Sequence, residues 1–259
     1  MKTISLMIAF FQMILIIWLG QGALGAIPEQ AHRFLLMWLS LSFIFNLCSL
    51  KQFSIGYLSS LFSYLIAWRI VALYPQESVI SVMTIVFFIF LYQLFYYVYL
   101  NLHEPNRFKP ALSLESWQLV FVRMYVAFDF IPHFTEKLFA GYAIHYQDVL
   151  SFQALNLPYS ETLVYIAGLC ELGAAIGLGL GIFIRLSAVL TTLYLLIATF
   201  LGHHFLSGFI WCGPHGGWEF AVLWSALIFS FAFGGGKGFS VDEYCQTRWY
   251  FPNWLKKLI

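Results

Sequence analysis

The chain has 259 residues, of which 61% are hydrophobic, 20% aromatic and only 10% charged, with a mean hydropathy of +0.80. A soluble domain carries about 25% charged residues, so this composition excludes a water-soluble enzyme and makes the lipid bilayer the expected surroundings. The net charge of +1 excludes the basic surface that nucleic acid needs.

Eight apolar stretches follow in chain order, near 3–24, 34–50, 54–74, 79–101, 115–134, 161–183, 186–206 and 218–236. Each approaches the roughly 20 residues that a helix needs to cross a bilayer. The expected fold class is all-α: a polytopic transmembrane helical protein of about eight spans. The first stretch, with Lys2 before it and Ala23-Leu24-Gly25 at its end, has the outline of a signal peptide. Its apolar run is longer than the usual signal core, so a retained helix is expected.

Loop charges test this count. With eight spans, one side carries Lys2, Lys51, Arg107, Lys109, Arg185, Lys237, Arg248, Lys256 and Lys257, and the other only Arg33 and Lys137. The positive-inside rule then places both termini in the cytoplasm. Pro105 and Pro110 interrupt the 102–114 connection, and neither favours a continuing helix. Four parts are expected: a four-helix transmembrane region at 1–101, a cytoplasmic linker at 102–114, a second four-helix domain at 115–241 and a cytoplasmic tail at 242–259. The loop at 142–160, with Tyr142, Tyr146 and Phe152, reads as a short interfacial helix or re-entrant segment.

The two halves differ. In 1–101 the in-span charge is Arg69, near a span end where it can snorkel, and Asn46, Ser59, Ser60 and Gln93 suit interhelical hydrogen bonds. The second half holds Arg123, Asp129, His133, Glu136, Lys137, Glu171, His203, His204 and Glu219 within or beside spans. Such groups are costly in lipid and usually face a bundle interior or a cavity. Cys48, Cys170, Cys212 and Cys245 form no Cys-x-x-Cys and read as separate, mostly packed thiols. Gly173, Gly177, Gly179 and Gly181 read as a surface for close helix approach. Gly234-Gly235-Gly236-Lys237-Gly238 lacks the spacing of a nucleotide loop and reads as a helix stop.

The run RMYVAFDFIPHFTEKLFAG (123–141) resembles the first helix of the DoxX family. Residues 157–190 are similar to that family's second helix, with a mid-helix Glu171, a Gly-rich run and a Gly181-x-x-x-Arg185 turn. His203-His204 stand where its third helix ends, Gly217-Trp218-Glu219 open its fourth, and GGGKGFSVD (234–242) resembles its closing tail. The likeness runs from roughly 113 to 243. It implies a four-helix bacterial membrane protein of the cytoplasmic (inner) membrane. Some members are linked to a thiosulfate:quinone oxidoreductase and others to redox-protective complexes. The resemblance therefore makes a quinone the candidate ligand and redox proteins the candidate partners. Phe134, where the family often has Gly, together with Asp129 and Pro132, departs from the pattern.

Depth arithmetic places Arg123 and Glu171 near the bilayer midplane, on the expected fifth and sixth spans. An unpaired charge there costs at least about 2.5–3.5 kcal/mol, so the two are expected to pair and to floor an outward-facing vestibule. On one ideal helix Arg123, Asp129, His133, Glu136 and Lys137 fall within an arc of about 140° and would line one vestibule, with Asp129, His133, His203 and Glu219 as its walls. The candidate ligand-binding residues are Arg123, Asp129, His133, Lys137, Glu171, His203, His204 and Glu219. His203 and His204 point about 100° apart on a helix, so they do not easily bind one ion. His133 and Glu219 could complete a site with one of them, and Cys212 and His215 on the outer loop are further candidates, but a structural or hydrogen-bonding role is the reading and no metal is expected. No catalytic residue is assigned, because no Ser-His-Asp or Cys-His spacing is present. Three functions remain open: a quinone-interacting subunit of a redox system, a non-catalytic binding or transport protein for a small or lipidic ligand, and a scaffold of a membrane complex.

Overall fold

The computed structural model describes residues 1–21, 27–104, 111–212, 216–236, 238–248, 252, 255 and 258. The Ala23-Leu24-Gly25 segment, Arg107, Lys109, both linker prolines, His215, Lys237, Lys256 and Lys257 lie outside the described residues. Within them the chain is all-helical. Six helices are long and apolar enough to cross a membrane, by length and composition, and the chain is a multi-pass membrane protein.

Two compact units divide it: Met1–Gln118 with Thr135–His145, and Leu119–Phe134 with Tyr146–Ile259. The first contains α1 (Lys2–Gly20), α2 (Glu29–Cys48), α3 (Phe53–Leu73) and α4 (Glu77–His103). Of these, α3 is central: 72% of its most apolar window is buried, against 28% to 33% for the other three. In lipid, apolar faces gain little by meeting one another, so small residues and hydrogen bonds hold such helices together. The Ser60 hydroxyl donates to the Ser42 carbonyl at 2.8 Å and Ser42 returns the bond to Ser60 at 2.7 Å. Gln12 donates to Ser42 at 2.6 Å, Asn46 to the Ser5 carbonyl at 2.7 Å and Gln93 to the Ser5 hydroxyl at 2.6 Å. The interhelical bonds expected of Asn46, Ser60 and Gln93 are present. At Gly56 a Cβ would strike the backbone of Ser49 and Cys48, so only glycine lets α3 leave the α2–α3 turn this closely.

Arg69 does not snorkel alone. It forms an ion pair with Glu136 within the same unit, both side chains about two-thirds buried. The four cysteines are free, as expected, but not packed: Cys48, Cys170 and Cys212 are exposed and Cys245 is intermediate.

The fifth apolar stretch is not one helix. It is α5 (Leu114–Phe128) and α6 (Phe130–Leu138), broken at Asp129. Pro132 is the cause: it has no N–H to offer the Phe128 carbonyl, and its ring crowds that carbonyl. Then come α7 (Tyr142–Ala154), α8 (Ser160–Ala174), a seven-residue π-helical segment (Ala175–Gly181), α9 (Ile184–Leu201), α10 (Glu219–Gly234) and the short α11 (Val241–Gln246). The loop read as a short helix is α7. In the second unit α9 packs against α8 and α10.

The π segment carries the Gly-rich run. A Cβ at Gly177 would strike Ser187, and one at Gly179 would meet the Phe128 ring, so close approach is what these two glycines permit. Gly173 differs: its surroundings are open.

Candidate functional site

Two polar centres lie in the second unit, where a single vestibule was expected. Arg123 forms the first. It is fully buried, and its guanidinium donates through Nη1 to the Leu178 carbonyl at 3.0 Å and through Nη2 to the Phe239 carbonyl at 2.9 Å. Its acidic neighbours are Asp242 and Glu243. Among the described residues Arg123 forms no ion pair with Glu171, contrary to expectation. The π segment brings the Leu178 carbonyl to Arg123, and the turn after α10 brings Phe239, so the charge is met by carbonyl dipoles and α11.

Local sequence builds this clasp. Ser240 caps α11, accepting from the Glu243 N–H at 3.2 Å, while the Glu243 carboxylate accepts from Phe239 N at 2.8 Å. This Ser-x-x-Glu exchange is a capping box shifted by one donor. Asp242 accepts from Phe183 N at 2.9 Å and Ile184 N at 3.0 Å, satisfying two orphan donors at the start of α9. Burial pushes the carboxyls of Asp242 and Glu243 up from their ordinary range, although these backbone N–H groups and Arg123 pull the other way. Gly181 has φ of +72°, and a Cβ there would strike Arg123 Nη1 and Ser240. The glycines of the tail thus do more than stop α10: Gly236 also gives its side-chain space to Arg123 and Ile184.

The second centre is a cavity of about 250 Å³. Asp129, His133, Glu171, Tyr194 and His204 are its polar lining. Phe130, Trp211, Phe220 and Trp224 supply aromatic wall, and Leu195, Ala198, Thr199 and Ala221 close it. The Tyr194 hydroxyl donates to Glu171 Oε1 at 2.6 Å, and Glu171 is buried. Asp129 and His133 interact electrostatically; the break at Asp129 leaves both on the cavity side. His204 donates through Nδ1 to the Gly216 carbonyl at 2.9 Å, and its ring lies 5.4 Å from that of Trp211. Trp211, Phe220 and Trp224 continue the aromatic series at 5.7 and 5.5 Å between rings. Among the described residues the buried Trp224 indole N–H has no hydrogen-bond partner.

Of the eight expected residues, the cavity gathers Asp129, His133, Glu171 and His204. Arg123 belongs to the clasp. Lys137 belongs to the first unit, where its carbonyl accepts from His145 Nδ1 at 2.7 Å, and Glu136 is taken by Arg69. The 140° arc fails because it assumed one unbroken helix. His203 does not line the cavity: α9 ends at Leu201, and His203 follows in a turn with φ of +58°. Glu219 instead accepts weakly from Trp211 N at 3.4 Å. Sequence reasoning missed Tyr194 and the aromatic wall, because tyrosine and tryptophan in an apolar helix give no signal distinct from packing. Among the described residues no three His, Cys, Asp or Glu side chains converge as metal ligands.

The family model of DoxX matches residues 118–204. Residues 118–204 are a DoxX domain. An uncharacterized protein of Haemophilus influenzae is 29% identical over 134 residues, 51% of this chain and 95% of that relative. No solved structure matches the chain. The DoxX match contains α5 from residue 118 onward, α6, α7, α8, the π segment and α9, hence Arg123 and the polar lining of the cavity. Trp211, Phe220, Trp224 and the α11 clasp lie beyond it. The apolar helices α1–α4 precede the DoxX domain.

Proposed function

We propose that this DoxX-domain membrane protein binds a quinone head group in the cavity of its second unit, as a subunit of a membrane redox system. The observation that carries this reading is the Glu171–Tyr194 pair set against an aromatic wall. A quinone is a flat ring with two carbonyl acceptors and needs stacking surface and hydrogen-bond donors. The Trp224 indole N–H is a donor without a partner among the described residues, and the His133 imidazole can donate as well. His204, whose Nδ1–H is held by Gly216, donates only from a protonated Nε2, while the Tyr194 hydroxyl donates to Glu171 and the pair forms the polar edge. Trp211, Phe220 and Trp224 are surface. Carboxylates and imidazoles are also the groups that pass protons to a quinone as it is reduced. The electrons come from a partner, so the redox role rests on a complex. The DoxX likeness supports a bacterial inner membrane, and the basic bias of one set of loops supports both termini in the cytoplasm.

The test is made on the protein in nanodiscs. Quinone is sought by solvent extraction, and a tail-less dimethoxybenzoquinone is titrated against tryptophan fluorescence. Saturable quenching is expected, with Tyr194→Phe and Glu171→Gln weakening it about tenfold, in line with one lost hydrogen bond to a charged network. The reading is abandoned if extraction yields no quinone and quenching does not saturate. Reduction is then assayed with thiosulfate and with dithiol donors.

A second reading, retention of a lipidic ligand without redox chemistry, shares the cavity. Turnover with any donor separates the two.

A further inference from the structure

The head-group cavity is too small for a whole ligand. Its 250 Å³ exceeds the roughly 150 Å³ void that takes a benzene-sized ring, yet falls below the roughly 300–1,000 Å³ of sites for larger ligands. Whatever exceeds a substituted ring must leave it.

A second, larger cavity of about 450 Å³ lies between α8 and α9. Its character is different. Leu190, Leu193, Ile197 and Ala174 line it, and the Ser187 hydroxyl on its edge is already given to the Ile182 carbonyl at 2.9 Å. The two spaces share one side chain, Tyr194. On α8 the adjacent residues divide between them: Glu171 lines the polar cavity and Cys170 the apolar groove. Both α8, with its π extension, and α9 are apolar enough to cross a bilayer, so the groove opens toward hydrocarbon. Gly173 lines it too, and outside its own helical turn no atom lies within 4 Å of where a Cβ would stand. Gly in a helix costs about 1 kcal/mol relative to Ala, and here no close packing explains it.

We infer that the ligand is an amphipath whose ring occupies the polar cavity and whose linear, prenyl-like tail leaves past Tyr194 through the α8–α9 groove. This rests on the quinone reading and adds the tail's path. Tyr194 is the turning point: its hydroxyl is held by Glu171 on the head side, and its ring forms the wall that the tail passes. Lipid chains are as apolar as the groove, so the groove supplies a path for the tail and selects ligands by shape.

The test compares a tail-less dimethoxybenzoquinone with its decyl-tailed homologue in nanodiscs of phosphatidylethanolamine and phosphatidylglycerol. Concentrations are expressed per lipid, which removes partitioning. Gly173→Leu fills the groove with a good helix former. The ratio of tailed to tail-less affinity is expected to fall at least about tenfold in Gly173→Leu, and to stay near the original value in Gly173→Ala. A quinone carrying a diazirine at the tail end is expected to label residues within 170–197, which decides the matter even if Gly173→Leu fails to fold. An unchanged ratio with tail labelling elsewhere overturns the tail path and leaves the head-group site standing. Loss of binding of the tail-less quinone to the unaltered protein overturns the head-group site and the tail path together.

Discussion

Arg123 shows how one charge is made tolerable at membrane depth. Two carbonyls, two nearby carboxyls and the vacated side-chain space of Gly181 and Gly236 surround it. The need for a partner was legible in the sequence, because a buried unpaired charge is costly. Its identity was not. Depth and helix order selected Glu171, but carbonyls freed by a π turn and a capping box about 120 residues further on carry no charge signal. Arg123→Leu is expected to cost roughly 3–5 kcal/mol, the range for breaking a buried charged network. The bonds of Arg123 go to Leu178 and Phe239, while Glu171 accepts from Tyr194, so the losses of Arg123→Leu and Glu171→Leu should add. Denaturation of the single and double variants in detergent checks this; a double variant more stable than the sum by over about 1 kcal/mol would restore the direct pair.

At the scale of elements, the break between α5 and α6 is where local preference was given up for a site. Pro132 inside an apolar helix costs about 3 kcal/mol, and the interruption turns Asp129 and His133 toward the cavity. The sequence disclosed the proline, and hence a kink, but not that the kink would dissolve the arc joining Arg123 to Lys137. It disclosed the helices α1–α4 well, because a 20-residue apolar run has one stable state in lipid. It failed at the end of α9, where no proline precedes His203 and only a turn with positive φ separates the two histidines. Pro132→Ala should therefore raise the thermal midpoint in detergent by a few degrees. The same variant should weaken quinone quenching several-fold, since the rejoined helix carries Asp129 and His133 off the cavity. Gain of stability without any change in binding would show that the break does not serve the site.

Across the whole molecule the question is how many helices cross. Six meet the length requirement, while α5–α6 is broken and α10 has only 16 residues. At 1.5 Å per residue α10 spans about 24 Å, short of a core of roughly 30 Å. Such a shortfall is met by local thinning of the bilayer at a fraction of a kcal/mol per ångström, and Trp218 at its start is an interfacial residue type. A lipid-embedded helix that turned back would also leave orphan backbone groups in hydrocarbon. We therefore expect α10 to cross, and two native cysteines report on it. Cys212 precedes α10 and is exposed; Cys245 follows it and is half-buried. In variants keeping one of these and replacing the other three cysteines with serine, a membrane-impermeant maleimide applied to intact cells should label Cys212. Cys245 should react only after the membrane is opened. Labelling of both from one side would mean that α10 lies in the membrane without crossing it, and the charge bias of the loops would then need a different count of spans.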